Sequence, residues 1–233
     1  MLIRAVITMV LALAAVSPAG ATAEHKYGKR EFATILGGRA PNGKFSLAAH
    51  GNGDSGNEGF QLYLMAEPGH KKLMALPNVN EDNILDTAPD AFHAAWSKDS
   101  RYAAVTFRSE RHIVTLNIYA VEGTNAKLID PPDLFRDMTG KNIDRKADGD
   151  MRTSVPALTW KAAGRFHLTD YRVFVLDDAA LADKLGKFGK FGKVTKTDDG
   201  RYTIQFSAEA DGEVLPGNKI RMDQPQPGKF EDL

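Results

Sequence analysis

The chain has 233 residues, with 30 basic and 30 acidic side chains and no cysteine. Balanced charge argues against a nucleic-acid partner, since nucleic-acid binders carry a basic excess. The lack of thiols excludes disulfide bracing, thiolate zinc sites and a lipid-bearing cysteine at a leader cleavage site.

The first residues, MLIRAVITMVLALAAVSPAGATAEHKY, place Arg4 ahead of an apolar run from Ala5 to Val16, which Pro18 and Gly20 then interrupt. Ala21-Thr22-Ala23 follows with the small-x-small pattern that signal peptidase reads. That order predicts a secretory leader over 1–23, cleaved after Ala23, with cleavage after Ala21 as the alternative. The run is shorter than the stretch of about 20 apolar residues that spans a bilayer. The expected location is therefore periplasmic or secreted, with no membrane span after cleavage. Residues 24–223 are expected to form a single β domain, followed by an extended, flexible tail over 224–233.

Apolar residues alternate along most of the chain, between Gly/Asn/Asp turns, which predicts antiparallel strands. A first meander comprises the segment before Pro41, Phe45–Ala49, Phe60–Met65 and Lys72–Leu76. A second comprises Phe92–Trp96, Tyr102–Phe107, Ile113–Val121 and Lys127–Ile129, with Trp96 on the face of Phe92 and Ala94. A third begins at Leu158–Trp160, resumes at Phe166 and includes Tyr171–Leu176. A last hairpin, KVTKTDDGRYTIQFSAE, turns at Asp198-Asp199-Gly200. Long insertions are expected at Pro77–Asp90 and Pro131–Val155. One short helix is predicted near 178–185, capped by Asp177-Asp178 and ended by Gly186.

The turns align as PNGKF (41–45), KDSRY (98–102), AAGRF (162–166) and DDGRY (198–202). The first resembles the Ser-Pro-Asp-Gly-Lys-Tyr turn of TolB-type and WD-like β-propeller repeat proteins. The second resembles a whole blade, with Trp96-Ser97 ahead of it and Asn117-Ile118-Tyr119 behind. The resemblance implies an all-β, irregular propeller-like domain in which the aromatic opens a strand and packs between blades. Trp96, Tyr102 and Trp160 are then structural residues. A twisted β-sandwich built from the same antiparallel meanders is the alternative.

Two patterns suggest chemistry. Gly53-Asp54-Ser55, within HGNGDSGNEG, is similar to the first block of GDS-type esterases. Asp90-Ala91-Phe92-His93 matches their Asp-x-x-His, which implies Ser55 as nucleophile. Those enzymes are α/β proteins, whereas this chain reads as antiparallel meander. Their Gly-x-Asn-Asp block, which supplies an oxyanion donor, is also absent. His93 is expected to point away from Phe92 and Trp96. An inter-strand loop is the plainer reading of 50–59, and His50 with Ser55 makes no trypsin-like pair at that spacing. Asp144–Asp150 imitates a calcium loop, but Lys146 occupies a ligand position and Val155 stands where a bidentate glutamate belongs.

In KLGKFGKFGKVTK (184–196), lysines recur every third residue. Lys187, Phe188, Lys190, Phe191 and Lys193 form a candidate surface for an anionic partner, such as an envelope protein or lipid; a solvated linker is the plainer reading. The sequence calls for no metal, no cofactor and no catalytic residue. The expected function is an exported, non-catalytic binding protein, with a GDS-type serine esterase using Ser55 as the alternative.

Overall fold

The computed structural model describes residues 22–53, 56–139, 150–177, 183 and 192–230. Among the described residues the fold is all-β, one large mixed sheet with one short α-helix that is described along its length. Its strand path runs from β11 at one edge to β4 at the other without closing.

Three antiparallel units make up that path. The first contains β1 (Ala33–Arg39), β2 (Phe45–His50), β3 (Gln61–Ala66) and β4 (Lys71–Asn80). The second contains β5 (His93–Trp96), β6 (Tyr102–Glu110), β7 (Ile113–Glu122) and β8 (Asn125–Ile129). The third contains β9 (Asp150–Ala162), β10 (Arg165–Leu176), β11 (Gly192–Lys196) and β12 (Tyr202–Leu215), with β13 (Lys219–Met222) and β14 (Gln226–Pro227) also on β12. Strands within a unit pair antiparallel; the units meet through short parallel pairings of β1 with β5 and of β7 with β9.

The central β6–β7 hairpin of the middle unit is buried on both faces. Ala103, Val105, Phe107 and Tyr119 enter one core with Ile35, Leu47, Phe60 and Phe92. Their neighbours Tyr102, Ala104, Leu116 and Ile118 enter a second core with Phe166, Leu168, Phe174, Ile204 and Phe206. Side chains alternate along a strand, so consecutive buried residues over Tyr102–Val105 mean that both faces are covered.

The turns share one construction. Gly43, Ser100, Gly164 and Gly200 all adopt positive φ, between 59° and 85°. In the first, second and fourth turns the amide of this residue donates to the carbonyl three positions back, at 2.8 to 3.0 Å. The preceding Asn42, Asp99 or Asp199 accepts the amide of the residue that follows, at 2.9 to 3.3 Å. Only glycine adopts this conformation without penalty, and an added methyl group at Gly200 meets open space. Gly200→Ala should therefore cost about 1 kcal/mol through φ alone. Paired urea melts test this, and an unchanged midpoint would contradict the turn geometry.

Gly37 has a stricter role. Its φ is 67°, and a Cβ there would stand 2.2 Å from the Ala94 carbonyl oxygen, so only glycine lets β1 approach β5. The extra residues around it shift the β1–β2 register between Thr34 and Arg39.

Three regions differ from the sequence reading. Strand β4 continues through Pro77 to Asn80, inside an expected insertion, where Tyr119 Oη donates to the Pro77 carbonyl at 2.6 Å and Gln61 Nε2 to the Val79 carbonyl at 2.8 Å. Strand β9 starts at Asp150, inside the other expected insertion. That insertion also holds α1 (Leu134–Thr139), capped by Asp133, whose Oδ1 accepts the Arg136 amide at 2.8 Å. Apart from Asp183, the helix expected near 178–185 lies outside the described residues. The tail is extended: β14 pairs with Ala208 and Glu209, and Ser207 Oγ donates to the Lys229 carbonyl at 2.6 Å.

Candidate functional site

Trp96, Tyr102 and Trp160 stand at the joints between units. Trp96 Nε1 donates to the Gly38 carbonyl of β1 at 3.0 Å. Trp160 Nε1 donates to the Ala95 carbonyl of β5 at 2.9 Å. Each tryptophan ends the first strand of its unit, or stands close to that end, and bonds the first strand of the preceding unit. Tyr102 stacks on Trp160 with centroids 5.7 Å apart, and Phe166 meets the same indole edge-on at 5.6 Å. At the first joint the Asn42 amide donates to Ser100 Oγ at 3.0 Å, tying one turn to the next. Tyr102 is buried, while both tryptophans are half-buried.

The other sequence candidates do not gather into one place. Asp54, Ser55, Lys187, Phe188, Lys190, Phe191 and the loop 144–149 lie outside the described residues. Lys193 is exposed on β11, its Cα opposite that of Gln205. His93 is exposed on β5, on the face opposite the buried Phe92 and Ala94. His50 is held by its Nδ1 against the Glu31 carbonyl at 2.6 Å. Among the described residues no three His, Asp or Glu side chains converge as a metal site, and no helix is long and apolar enough to cross a membrane.

One cluster has the residue types of a hydrolase without its geometry. Ser46 Oγ donates to Glu67 Oε1 at 2.7 Å, and His70 Nδ1 approaches the same oxygen at 2.8 Å. His70 Nε2 lies 2.8 Å from the Phe32 carbonyl. Both ring nitrogens thus face acceptors, an arrangement that the doubly protonated ring satisfies. The bond to Glu67 raises the His70 pKa above its ordinary value, and bonds from Ser46 and His70 hold Glu67 below the usual glutamate range. Carboxylate, not imidazole, touches the serine, and Ser46 is fully buried. The cluster ties β2 and the β3–β4 turn to the start of β1.

An aromatic platform lies on the outer face of the first unit. Leu62 and Leu64 point into the core, so Tyr63 between them points the other way. Beside it Phe32 stacks on His50 at 4.6 Å and meets Tyr63 edge-on at 5.4 Å. Lys72 Nζ lies 5.0 Å from the Tyr63 ring centre and 5.7 Å from that of Phe32. The rings are half-buried and Lys72 is exposed. Burial raises the Tyr63 phenol above its ordinary pKa. Sequence reading singled out only His50 of this group, because the four residues stand on or beside separate strands with no shared motif. A groove of about 510 Å³ follows β1 from Thr34 to Arg39 beside Pro89 and Asp90, where Leu36 is 56% exposed. A second groove, of about 590 Å³, separates α1 from residues 222–225.

Comparison with protein-family models, with curated proteins and with solved structures finds no match to this chain.

Proposed function

We propose that this chain is an exported binding protein that works without catalysis, on a scaffold like that of an irregular β-propeller. The recurrent turn and the repeated tryptophan joint support the scaffold. The observation that carries the function is the platform of Phe32, His50, Tyr63 and Lys72 on the outer face of the first unit. Aromatic rings beside a cation offer stacking area and a charged contact, and tyrosine is among the residues that concentrate binding energy at protein interfaces. The β6–β7 hairpin at the centre of the sheet has both faces covered, whereas this face presents half-buried rings, which favours the platform as the place for a partner. An envelope protein or another anionic surface is the partner class that Lys72 favours.

Photo-crosslinking in the cell envelope tests this reading. Benzoylphenylalanine in place of Tyr63 should yield a discrete adduct, and the same group in place of the exposed turn residue Lys98 should not. Equal adducts at both positions, or none at Tyr63, would overturn the proposal. A serine-directed fluorophosphonate should leave the purified protein unlabelled. Stoichiometric labelling at Ser55 would favour the esterase instead.

A further inference from the structure

Two small-x-small sites stand at the end of the leader: Ala21-Thr22-Ala23, the one expected from sequence, permits cleavage before Glu24, and Ala19-Gly20-Ala21, the alternative, permits cleavage before Thr22. The fold distinguishes them. Residues 22–27 form an extended strap whose exposure alternates: Thr22, Glu24 and Lys26 face solvent, while Ala23, His25 and Tyr27 are partly or fully buried. Ala23 is the first inward residue, and its backbone is tied at both ends. Its amide donates to Asp86 Oδ1 at 2.8 Å, and its carbonyl accepts the Thr87 amide at 2.9 Å and the Ala88 amide at 3.0 Å. The His25 amide donates to Thr87 Oγ1 at 3.1 Å, and Tyr27 Oη to the Thr87 carbonyl at 2.6 Å. Asp86 is 2% exposed and is gripped by Arg108, Nε to Oδ2 at 2.6 Å and Nη2 to Oδ1 at 2.5 Å.

We infer that the mature chain begins at Thr22, so that the processing site is the Ala21–Thr22 bond and Ala23 is a structural residue of the folded protein. This inference rests on the export reading. Hydrolysis adds one water across the Ala21–Thr22 amide, leaving a carboxylate on Ala21 and an ammonium group on Thr22. Thr22 is exposed, so the new charge stays in water. Cleavage before Glu24 would instead remove a donor from the Asp86 carboxylate and leave the Thr87 and Ala88 amides without their Ala23 acceptor; Asp86 and Thr87 are 2% and 1% exposed, so at these two groups the lost bonds carry the cost of an unsatisfied buried polar group.

Two measurements test the inference. The full precursor is exported with its own leader from a Gram-negative host, and the periplasmic product is sequenced from its N-terminus. Thr22 is the expected first residue. Glu24 would overturn the cleavage inference alone, whereas an intact Met1 would overturn the export reading and this inference with it. Chains starting at Thr22 and at Glu24 are then compared by amide hydrogen exchange. Thr87 and Ala88 should exchange at least about tenfold faster in the shorter chain, the effect of losing their hydrogen bonds to Ala23. Equal exchange would show that Ala23 is dispensable to the fold and would overturn the argument from the strap.

Discussion

Arg172→Met should destabilise the protein by about 3–5 kcal/mol at neutral pH, a large share of a domain's usual stability of about 5–15 kcal/mol. Arg172 holds Asp170 through two parallel bonds of 2.8 Å, from Nε and Nη2. Its Nη2 also reaches Asp133 Oδ1 at 2.9 Å, and the guanidinium lies over the Phe135 ring, 5.7 Å from its centre. The same group therefore secures α1 to β10. Methionine keeps most of the stem but removes the charge. Asp133 is 25% exposed and can be hydrated, whereas Asp170 is 2% exposed and cannot.

That contrast gives the variant a pH signature. Burial pushes the Asp170 carboxyl above the ordinary aspartate range, while Arg172 pulls it back. Without Arg172 the folded-state value rises further above the unfolded value of about 3.9. The folded chain then binds a proton that the unfolded chain has released, so stability falls as pH rises through the interval between the two values. Urea melts should show a modest deficit near pH 4 that widens toward pH 7. A deficit independent of pH would mean that Asp170 is not the stranded charge. Pairing Arg172→Met with Asp170→Asn should recover most of the loss, because replacing both members of a buried pair leaves no unmatched ion.

Trp160→Ala should cost about 3–5 kcal/mol, the usual range for truncating a packed tryptophan. The indole fills the joint between the second and third units, stacked on Tyr102 and met edge-on by Phe166. It also satisfies the Ala95 carbonyl. Trp96→Ala removes the equivalent bond to Gly38 at the first joint and should fall at or below the lower end of that range. Lys98→Ala, in an exposed turn, should stay within about 0.5 kcal/mol of wild type. Trp160→Phe separates packing from the hydrogen bond: it keeps a ring but leaves the carbonyl without this donor, at about 1 kcal/mol. Melts with matched slopes decide the matter. Equal midpoints for Trp160→Ala and wild type would mean that the joint contributes nothing to stability.

Much of this β framework was legible because hairpins are local. In TDDGRY the capping aspartate, the glycine at positive φ and the strand-opening aromatic are contiguous, and the same order appears in KDSRY although serine replaces glycine. Alternation along Phe92–Trp96 likewise assigns His93 to the face away from Phe92 and Ala94. The α1 helix was missed because six residues carry too little periodicity to stand out. Its one signal is Asp133, three positions before the amide that it caps. Strand β4 beyond Pro77 was missed for a different reason: its partners are Tyr119, Asn117 and Gln61, supplied by other strands.

The candidate site was far less legible. Phe32, His50, Tyr63 and Lys72 stand on or beside separate strands, and only the register of β1 to β4 brings them side by side. Ala23 carries no chemical mark that separates it from Ala21; what distinguishes it is Asp86, more than sixty residues away, waiting for an amide. The sequence alone determined the all-β class, the positions of the four aligned turns and the inward face of Phe92–Trp96, because pleat and turn conformation follow from neighbouring residues. Tertiary structure alone decided which strand faces are covered twice, which tryptophan meets which carbonyl and where the aromatic platform lies. Those outcomes depend on the stacking of units, a matter of long-range burial that no local window of residues contains.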